Sequence, residues 1–140
     1  MRFWDTSALV PLFVEEPTTV ELRSWVEDDV DICVWAMSDV EARSAIARRA
    51  RSGGLSWREV QELGQRFDAF MKRVHVVSLL DTVKLRAKRL LAVHDLRAAD
   101  SLQLAAALAT CADDPAGYEF VTLDQRLAEA ARREGFTVRP

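Results

Sequence analysis

The sequence predicts a single α/β domain over residues 1–140: a mostly parallel sheet of about five strands, covered by helices on both faces. Three observations carry this reading. Short apolar runs, Phe3-Trp4, Ile32–Trp35, Val74–Val77, Tyr118–Thr122 and Phe136–Val138, are too brief for helices and recur between longer helical patterns. Strands that alternate with helices pair in parallel, because each crossover returns the chain to the same end of the sheet. One of the helical stretches, residues 96–108, is apolar nearly all round, which requires burial against a sheet rather than a solvated face.

Taken in order, the Phe3-Trp4 strand runs into Asp5-Thr6-Ser7, and Ala8 to Val14 reads as a short helix despite Pro11. Pro17, with Thr18-x-x-Glu21 behind it, suits the start of a second helix whose apolar face is Val20, Leu22, Trp25 and Val26. The acidic cluster Glu27-Asp28-Asp29 ends it, and Asp31 leads into the second strand. Ser38 to Arg51 is helical, Gly53-Gly54 breaks the pattern, and Ser56-x-x-Glu59 restarts it as a capping box. The result is a helical hairpin that buries Val60, Leu63, Phe67, Phe70 and Met71 on one side. After the third strand, Asp81 to His94 forms an amphipathic helix with Val83, Ala87, Leu90 and Leu91 inward. The apolar helix then opens near Asp100. A loop over residues 113–117 precedes the fourth strand, Asp124 precedes a helix through Leu127, Ala130 and Ala131, and Gly135 ends it before the last strand.

Composition narrows the functional classes. Hydrophobic residues are 49% and charged residues 29% of the 140, values of a folded globular chain that exclude intrinsic disorder. Cys33 and Cys111 lie in apolar surroundings without CxxC spacing, as small buried hydrophobes of a reducing compartment do. No signal-like start and no run long enough to cross a bilayer is present, so the expected location is cytoplasmic, with no membrane partner. The net charge of −3 conceals an asymmetry: residues 1–42 hold 10 acids and 2 bases, residues 43–97 hold 5 acids and 13 bases, and the remainder holds 7 acids and 4 bases. A basic middle third in an acidic chain is a footprint that a polyanion could use, although solvated helix faces give similar runs. Both histidines are isolated, and neither is assigned to a metal.

Asp5, Asp100 and Asp124 each follow an apolar segment and precede or open a helix, and Glu41 falls in the first turn of the helix after the second strand. In a parallel α/β sheet such positions gather at the carboxyl ends of the strands, where ligands bind. Each also has an ordinary explanation. Asp5 and Asp124 can be helix caps, Glu41 completes Ser38-x-x-Glu41, and Asp100 with Gln103 can cap its own helix. As a group they favour a cation. Two unit charges about 4 Å apart repel by roughly 4 kcal/mol at an effective dielectric near 20, so four clustered acids would protonate or splay without one. Oxygen ligands without paired His or Cys favour Mg²⁺ or Mn²⁺. Such an ion can activate water and orient a phosphodiester, so phosphodiester hydrolysis is the chemistry suggested.

Phe3-Trp4-Asp5-Thr6-Ser7-Ala8-Leu9, Val40-Glu41, Leu96–Ala107 and Phe120-Val121-Thr122-Leu123-Asp124-x-Arg126-Leu127 resemble, in order, the motifs of PIN-domain ribonucleases, particularly the VapC toxins of toxin–antitoxin pairs. The resemblance spans essentially the whole chain. It implies a Rossmann-like α/β/α sandwich with a protruding helical hairpin. It implies a Mg²⁺- or Mn²⁺-dependent endoribonuclease site built from Asp5, Glu41, Asp100 and Asp124, with Asp39 the nearest rival to Glu41. Thr6, Ser7 and Thr122 would support the acids or bound water. A homodimer and a VapB-type antitoxin whose C-terminal segment occupies the groove are also implied. Asp95 stands where many relatives have Gly, and Gln103 where His is frequent.

The expected function is therefore an RNA-cleaving toxin, with Arg43, Arg48, Arg97 and Arg126 on the RNA backbone. Two readings compete: an RNA-maturation nuclease without an antitoxin, and a binding module whose acids only cap helices. Leu55 and Trp57, at the hairpin tip, are expected either at a dimer or antitoxin surface or in the core.

Overall fold

Alternation along each strand is what builds this molecule. Phe3, Cys33, Trp35 and Phe120 point to one side of the sheet, whereas Trp4, Ile32, Val34 and Val121 point to the other, and all eight are buried. A strand apolar on both faces must be covered twice, and it is. In the computed structural model, which describes residues 1–28 and 31–140, five strands form one sheet. They are β1 (Arg2–Trp4), β2 (Ile32–Trp35), β3 (His75–Val77), β4 (Glu119–Val121) and β5 (Thr137–Arg139). Their order is β3-β2-β1-β4-β5, and every pairing is parallel.

The helices among the described residues are α1 (Thr6–Leu9), α2 (Thr19–Asp28), α3 (Ser38–Arg51), α4 (Trp57–Met71), α5 (Leu80–Val93), α6 (Ala98–Thr110) and α7 (Gln125–Glu134). Ala8 and Leu9 of α1, Leu22 of α2, Ala42 and Ile46 of α3, and Leu63 and Phe67 of α4 pack on the Trp4 side. Val83, Ala87 and Leu90 of α5, the run Leu104–Leu108 of α6, and Leu127, Ala130 and Ala131 of α7 pack on the Phe3 side. In register across β1 and β4, the Phe3 and Phe120 rings stack with centroids 5.4 Å apart. Because β2 and β3 extend the sheet to one side of β1 and β4 and β5 to the other, the direction of winding reverses between β1 and β4. A crevice opens at the carboxyl ends of strands at such a switch point.

Local signals set most boundaries. The Ser56–Glu59 capping box closes in both directions, with Ser56 N–H donating to Glu59 Oε2 at 2.7 Å and Glu59 N–H to Ser56 Oγ at 3.3 Å. Gly135, at φ 108°, ends α7 in the left-handed conformation that glycine adopts without steric cost. The structure departs from expectation in its first two helices and at two apolar side chains. The first helix starts at Thr6, directly after Asp5, and becomes a 3₁₀ turn at Val10–Leu12, where Pro11 lacks the N–H a longer helix would use. The second starts at Thr19, whose buried hydroxyl donates to the Pro11 carbonyl and accepts from Glu16 N–H, so Thr18 caps nothing. Val20 is 79% exposed and Leu91 45% exposed, because both lie off the arcs of their helices that meet the sheet. Asp29, expected at the end of the second helix, lies outside the described residues. No helix among the described residues is long and apolar enough to cross a membrane.

Candidate active site

Asp5 leaves β1 where the sheet ends, and its backbone N–H still donates to the Val121 carbonyl of β4 at 3.0 Å. Its carboxylate caps α1: Oδ2 accepts from Ser7 N–H at 3.1 Å and from Ser7 Oγ at 2.5 Å. Thr122 Oγ1 donates to the same oxygen at 2.9 Å. Both hydroxyls also serve the neighbouring turn, since Ser7 Oγ accepts from Leu123 N–H at 2.9 Å and Thr122 Oγ1 from Asp124 N–H at 3.1 Å. Asp5 and the turn that carries Asp124 are thereby locked together. Capping and cavity lining are not alternatives for Asp5, because bonds on Oδ2 leave Oδ1 uncommitted among the described residues.

Asp124 is the N-cap of α7, its Oδ1 accepting from Leu127 N–H at 2.9 Å. Asp100 lies in the first turn of α6, after the N-cap Arg97. Glu41 lies in the first turn of α3, but the Ser38–Glu41 capping box is absent. The N-cap is Met37, and the Glu41 carboxylate instead accepts from Gln103 Nε2 at 2.9 Å. Asp100 and Gln103 likewise form no pair, since Gln103 points into the protein toward Thr6, Ser38 and Glu41.

All four acids line one open cavity of about 600 Å³, together with Thr6, Ser7, Glu16, Ser44, Arg48, Arg49 and Ser52. Glu41, Ser44, Ala45, Arg48, Arg49 and Ser52 fall at the three- and four-residue steps of one helical face, so α3 supplies a wall that runs from carboxylate to guanidinium. Asp39 does not line the cavity; its Oδ1 accepts from Val40 N–H.

Burial is the largest influence on Asp5, and with help from the Glu41 charge it outweighs the Ser7 and Thr122 hydrogen bonds, pushing the carboxyl up to about 6. Asp100 is raised as well, first by burial and then by the Asp124 charge, against the Arg97 backbone N–H and the charges of Arg97 and Arg126. Both shifts come chiefly from desolvation, which a nearby cation would offset, and the donors are all oxygen, which fits Mg²⁺ or Mn²⁺. Among the described residues no three acidic, His or Cys side chains close on one point. One oxygen of Asp5 is held by hydroxyls and one of Glu41 by the Gln103 amide, so the acids surround space rather than one another.

The basic residues divide. Arg48 lines the cavity, and Arg49 does so while ion-paired to Glu16. Arg97 and Arg126 line an adjoining hollow of about 350 Å³ that shares Asp100 and Asp124. Arg126 reaches Asp95 at 4.0 Å. Arg43 departs from expectation. It turns to α4, donating to Asp68 Oδ2 at 2.7 Å and to the Gly64 carbonyl at 3.2 Å, and is absent from the cavity lining. Gly64 makes room for it, since a Cβ there would stand 2.3 Å from Arg43 Nη1. Trp57 is 72% exposed at the start of α4, which removes the core reading for it within this chain. Glu16, Ser44, Arg49 and Ser52 line the cavity, and Gln103 is buried behind Glu41; none of these was assigned to the site from the sequence. For Gln103 a signal existed: it is a long polar side chain inside an otherwise apolar buried run.

A family model described as PIN domain matches residues 2–133. Ribonuclease VapC49 of Mycobacterium tuberculosis (strain ATCC 25618 / H37Rv) is 33% identical over 139 residues, 99% of this chain and 94% of that protein. The crystal structure of FitAcB from Neisseria gonorrhoeae shares the fold at a TM-score of 0.71 and 17% identity, covering 100% of this chain and 97% of that one. A toxin–antitoxin complex from Klebsiella pneumoniae does so at a TM-score of 0.65 and 15% identity, covering 91% of each chain. With this order of strands, these acids at the switch point and a family match over nearly all of its length, the chain belongs to the PIN-domain family.

Proposed function

We propose that this protein is a Mg²⁺- or Mn²⁺-dependent endoribonuclease acting as the toxin of a toxin–antitoxin pair in the cytoplasm. The observation that carries the reading is one cavity lined by Asp5, Glu41, Asp100 and Asp124, with Arg48 and Arg49 on its wall about two turns beyond Glu41 along α3. Similarity to Ribonuclease VapC49 supports RNA as the substrate, and likeness to a toxin–antitoxin complex accords with an antitoxin partner.

Asp5, Glu41, Asp100 and Asp124 are the residues that would hold the cation. When bound, it supplies a Lewis acid that lowers the pKa of water and offsets charge on a phosphodiester. The chain's part is orientation. The Ser7 and Thr122 hydroxyls hold Asp5 Oδ2 and leave Oδ1 uncommitted among the described residues, and Thr6 anchors the Gln103 amide beside Glu41. Arg48, Arg97 and Arg126 border the acids on two sides and can take the flanking phosphates of the strand being cut. Hydrolysis joins the water oxygen to phosphorus as one ester P–O bond breaks.

A homodimer is supported by the exposed apolar Met37, Val40, Leu79 and Leu80, which follow the paired strands β2 and β3. Light scattering should give twice the chain mass of 15.8 kDa, falling to that mass in Leu80→Glu. Exposed Trp57 is assigned to antitoxin binding, so Trp57→Ala should weaken that complex without changing stability.

The deciding experiment is cleavage of total cellular RNA by purified protein. Cuts should require Mg²⁺ or Mn²⁺, stop with EDTA and vanish in Asp5→Asn and Asp100→Asn. Expression of the wild type alone should arrest growth. Cleavage that persists in both variants, or without divalent metal, refutes the assignment.

A further inference from the structure

Gln103 is the largest buried polar side chain among the described residues, 1% exposed on a helical run otherwise made of Ser, Leu and Ala. Its Nε2 lies 2.7 Å from Thr6 Oγ1 of α1, 2.9 Å from Glu41 Oε2 and 3.1 Å from Ser38 Oγ of α3. One amide therefore ties together the three helices that carry or adjoin Asp5, Glu41 and Asp100. Its Oε1 is buried without a hydrogen-bond partner among the described residues. Turning the amide over would face that oxygen toward Thr6 and Ser38, whose hydroxyls could donate to it, but it would also place two acceptor oxygens 2.9 Å apart at Glu41. The carboxylate thus dictates the orientation, and the orphaned oxygen is its cost.

Hydrogen counting sharpens this. An amide nitrogen has two hydrogens and faces three oxygens here. Thr6 and Ser38 can rotate their own hydrogens to suit, whereas an ionised Glu41 can only accept. One of the two N–H bonds is therefore committed to Glu41.

We propose that Gln103 is a positioning residue for the metal site: its buried amide holds Glu41 Oε2, so that the carboxylate is set in the cavity before a cation arrives. The inference rests on the proposed function, and touches neither RNA nor the reacting atoms. Loss of such a supporting hydrogen bond typically weakens metal affinity about 10- to 100-fold.

The test is Mn²⁺ binding by calorimetry and by the EPR signal of free Mn²⁺, beside cleavage kinetics, for the full chain. Gln103→Met keeps the volume and deletes the amide. It should bind Mn²⁺ about 10- to 100-fold more weakly and lose kcat by a similar factor at saturating RNA and fixed Mn²⁺, with KM for RNA unchanged. Gln103→His, which can still donate an N–H, should recover affinity to within about threefold, a small part of that loss. Gln103→Asn, one methylene short, provides a second folded probe and should behave like Met. Wild-type Mn²⁺ affinity in a folded Gln103→Met or Gln103→Asn overturns the positioning role, as does a loss confined to KM or a folded His variant without recovery. If neither Met nor Asn folds, Gln103 is a packing residue and the proposal fails. A wild-type chain that binds no Mn²⁺ refutes the metal site itself, a result distinct from all of these.

Discussion

Asp5→Asn should remove activity and at the same time stabilise the metal-free protein at neutral pH. The Asp5 carboxyl is almost fully buried, and its pKa is raised, mainly by desolvation, from 3.8 to about 6. A carboxyl raised on folding binds more protons in the native than in the unfolded state between those two values, so stability falls as pH rises across that window. Its contribution is complete below about pH 4 and lost above about pH 6. At 1.36 kcal/mol per pKa unit the loss is about 3 kcal/mol, which for a domain of this size is roughly 10 °C in Tm. Asparagine imitates the protonated acid, keeps an oxygen for Ser7 and Thr122, and lacks the titration. The assay is urea denaturation of both proteins in EDTA from pH 4 to pH 8. The raised Asp100 and the lowered Glu119 and Glu134 titrate in both proteins and cancel, so the difference curve isolates Asp5. It should be flat below pH 4 and rise by about 3 kcal/mol in favour of Asn by pH 7. Mn²⁺ at a hundred times its Kd should return about 2.7 kcal/mol to the wild type, with far less for the variant. Parallel stability curves across the range would refute the assignment of Asp5 as a desolvated acid that a cation would stabilise.

Three further outcomes follow from the same geometry. Asp124→Asn keeps the α7 cap and should stay within about 0.5 kcal/mol of wild type, while Asp124→Ala costs about 1 kcal/mol; both should lose RNA cleavage, which separates capping from chemistry in one residue. Arg48→Ala should raise KM for RNA and flatten its salt dependence by about one phosphate contact, whereas Arg43→Ala, with its guanidinium bound to Asp68 and Gly64, should leave cleavage unchanged. Glu134→Gln should cost about 2 kcal/mol at pH 7 in urea titrations, because the carboxylate accepts from Arg89 at 2.5 and 3.2 Å and is bonded to His94 at 2.6 Å. Burial pushes Glu134 up, but those bonds win and hold it below the usual carboxylate range. The difference from wild type should therefore persist above the ordinary glutamate pKa and disappear as pH falls through the lowered one.

The strands and helices were legible because each is written locally. Phe3-Trp4 and Ile32–Trp35 are too short and too apolar for anything but buried strands, and Ser56-x-x-Glu59 and Gly135 mark helix ends through bonds made within a few residues. Where a local pattern failed, a distant partner had taken the side chain. Ser38-x-x-Glu41 reads as a capping box, yet Gln103, sixty-two residues beyond Glu41, claims both side chains. Arg43 reads as one more cation of a basic hairpin, yet Gly64 opens a place for it against α4.

By itself, then, the sequence determined an alternating α/β chain and four acids at the ends of strands or the starts of helices, since backbone periodicity and capping are short-range properties. Tertiary structure decided that winding reverses between β1 and β4, that α3 turns Glu41 and Arg48 into the same cavity, and that Gln103 lies beneath Glu41. Those facts depend on strand order and on helices docking over a shared sheet. The contacts span up to 117 residues, as between Thr122 and Asp5, and become visible only once apolar burial on both faces has brought those segments together.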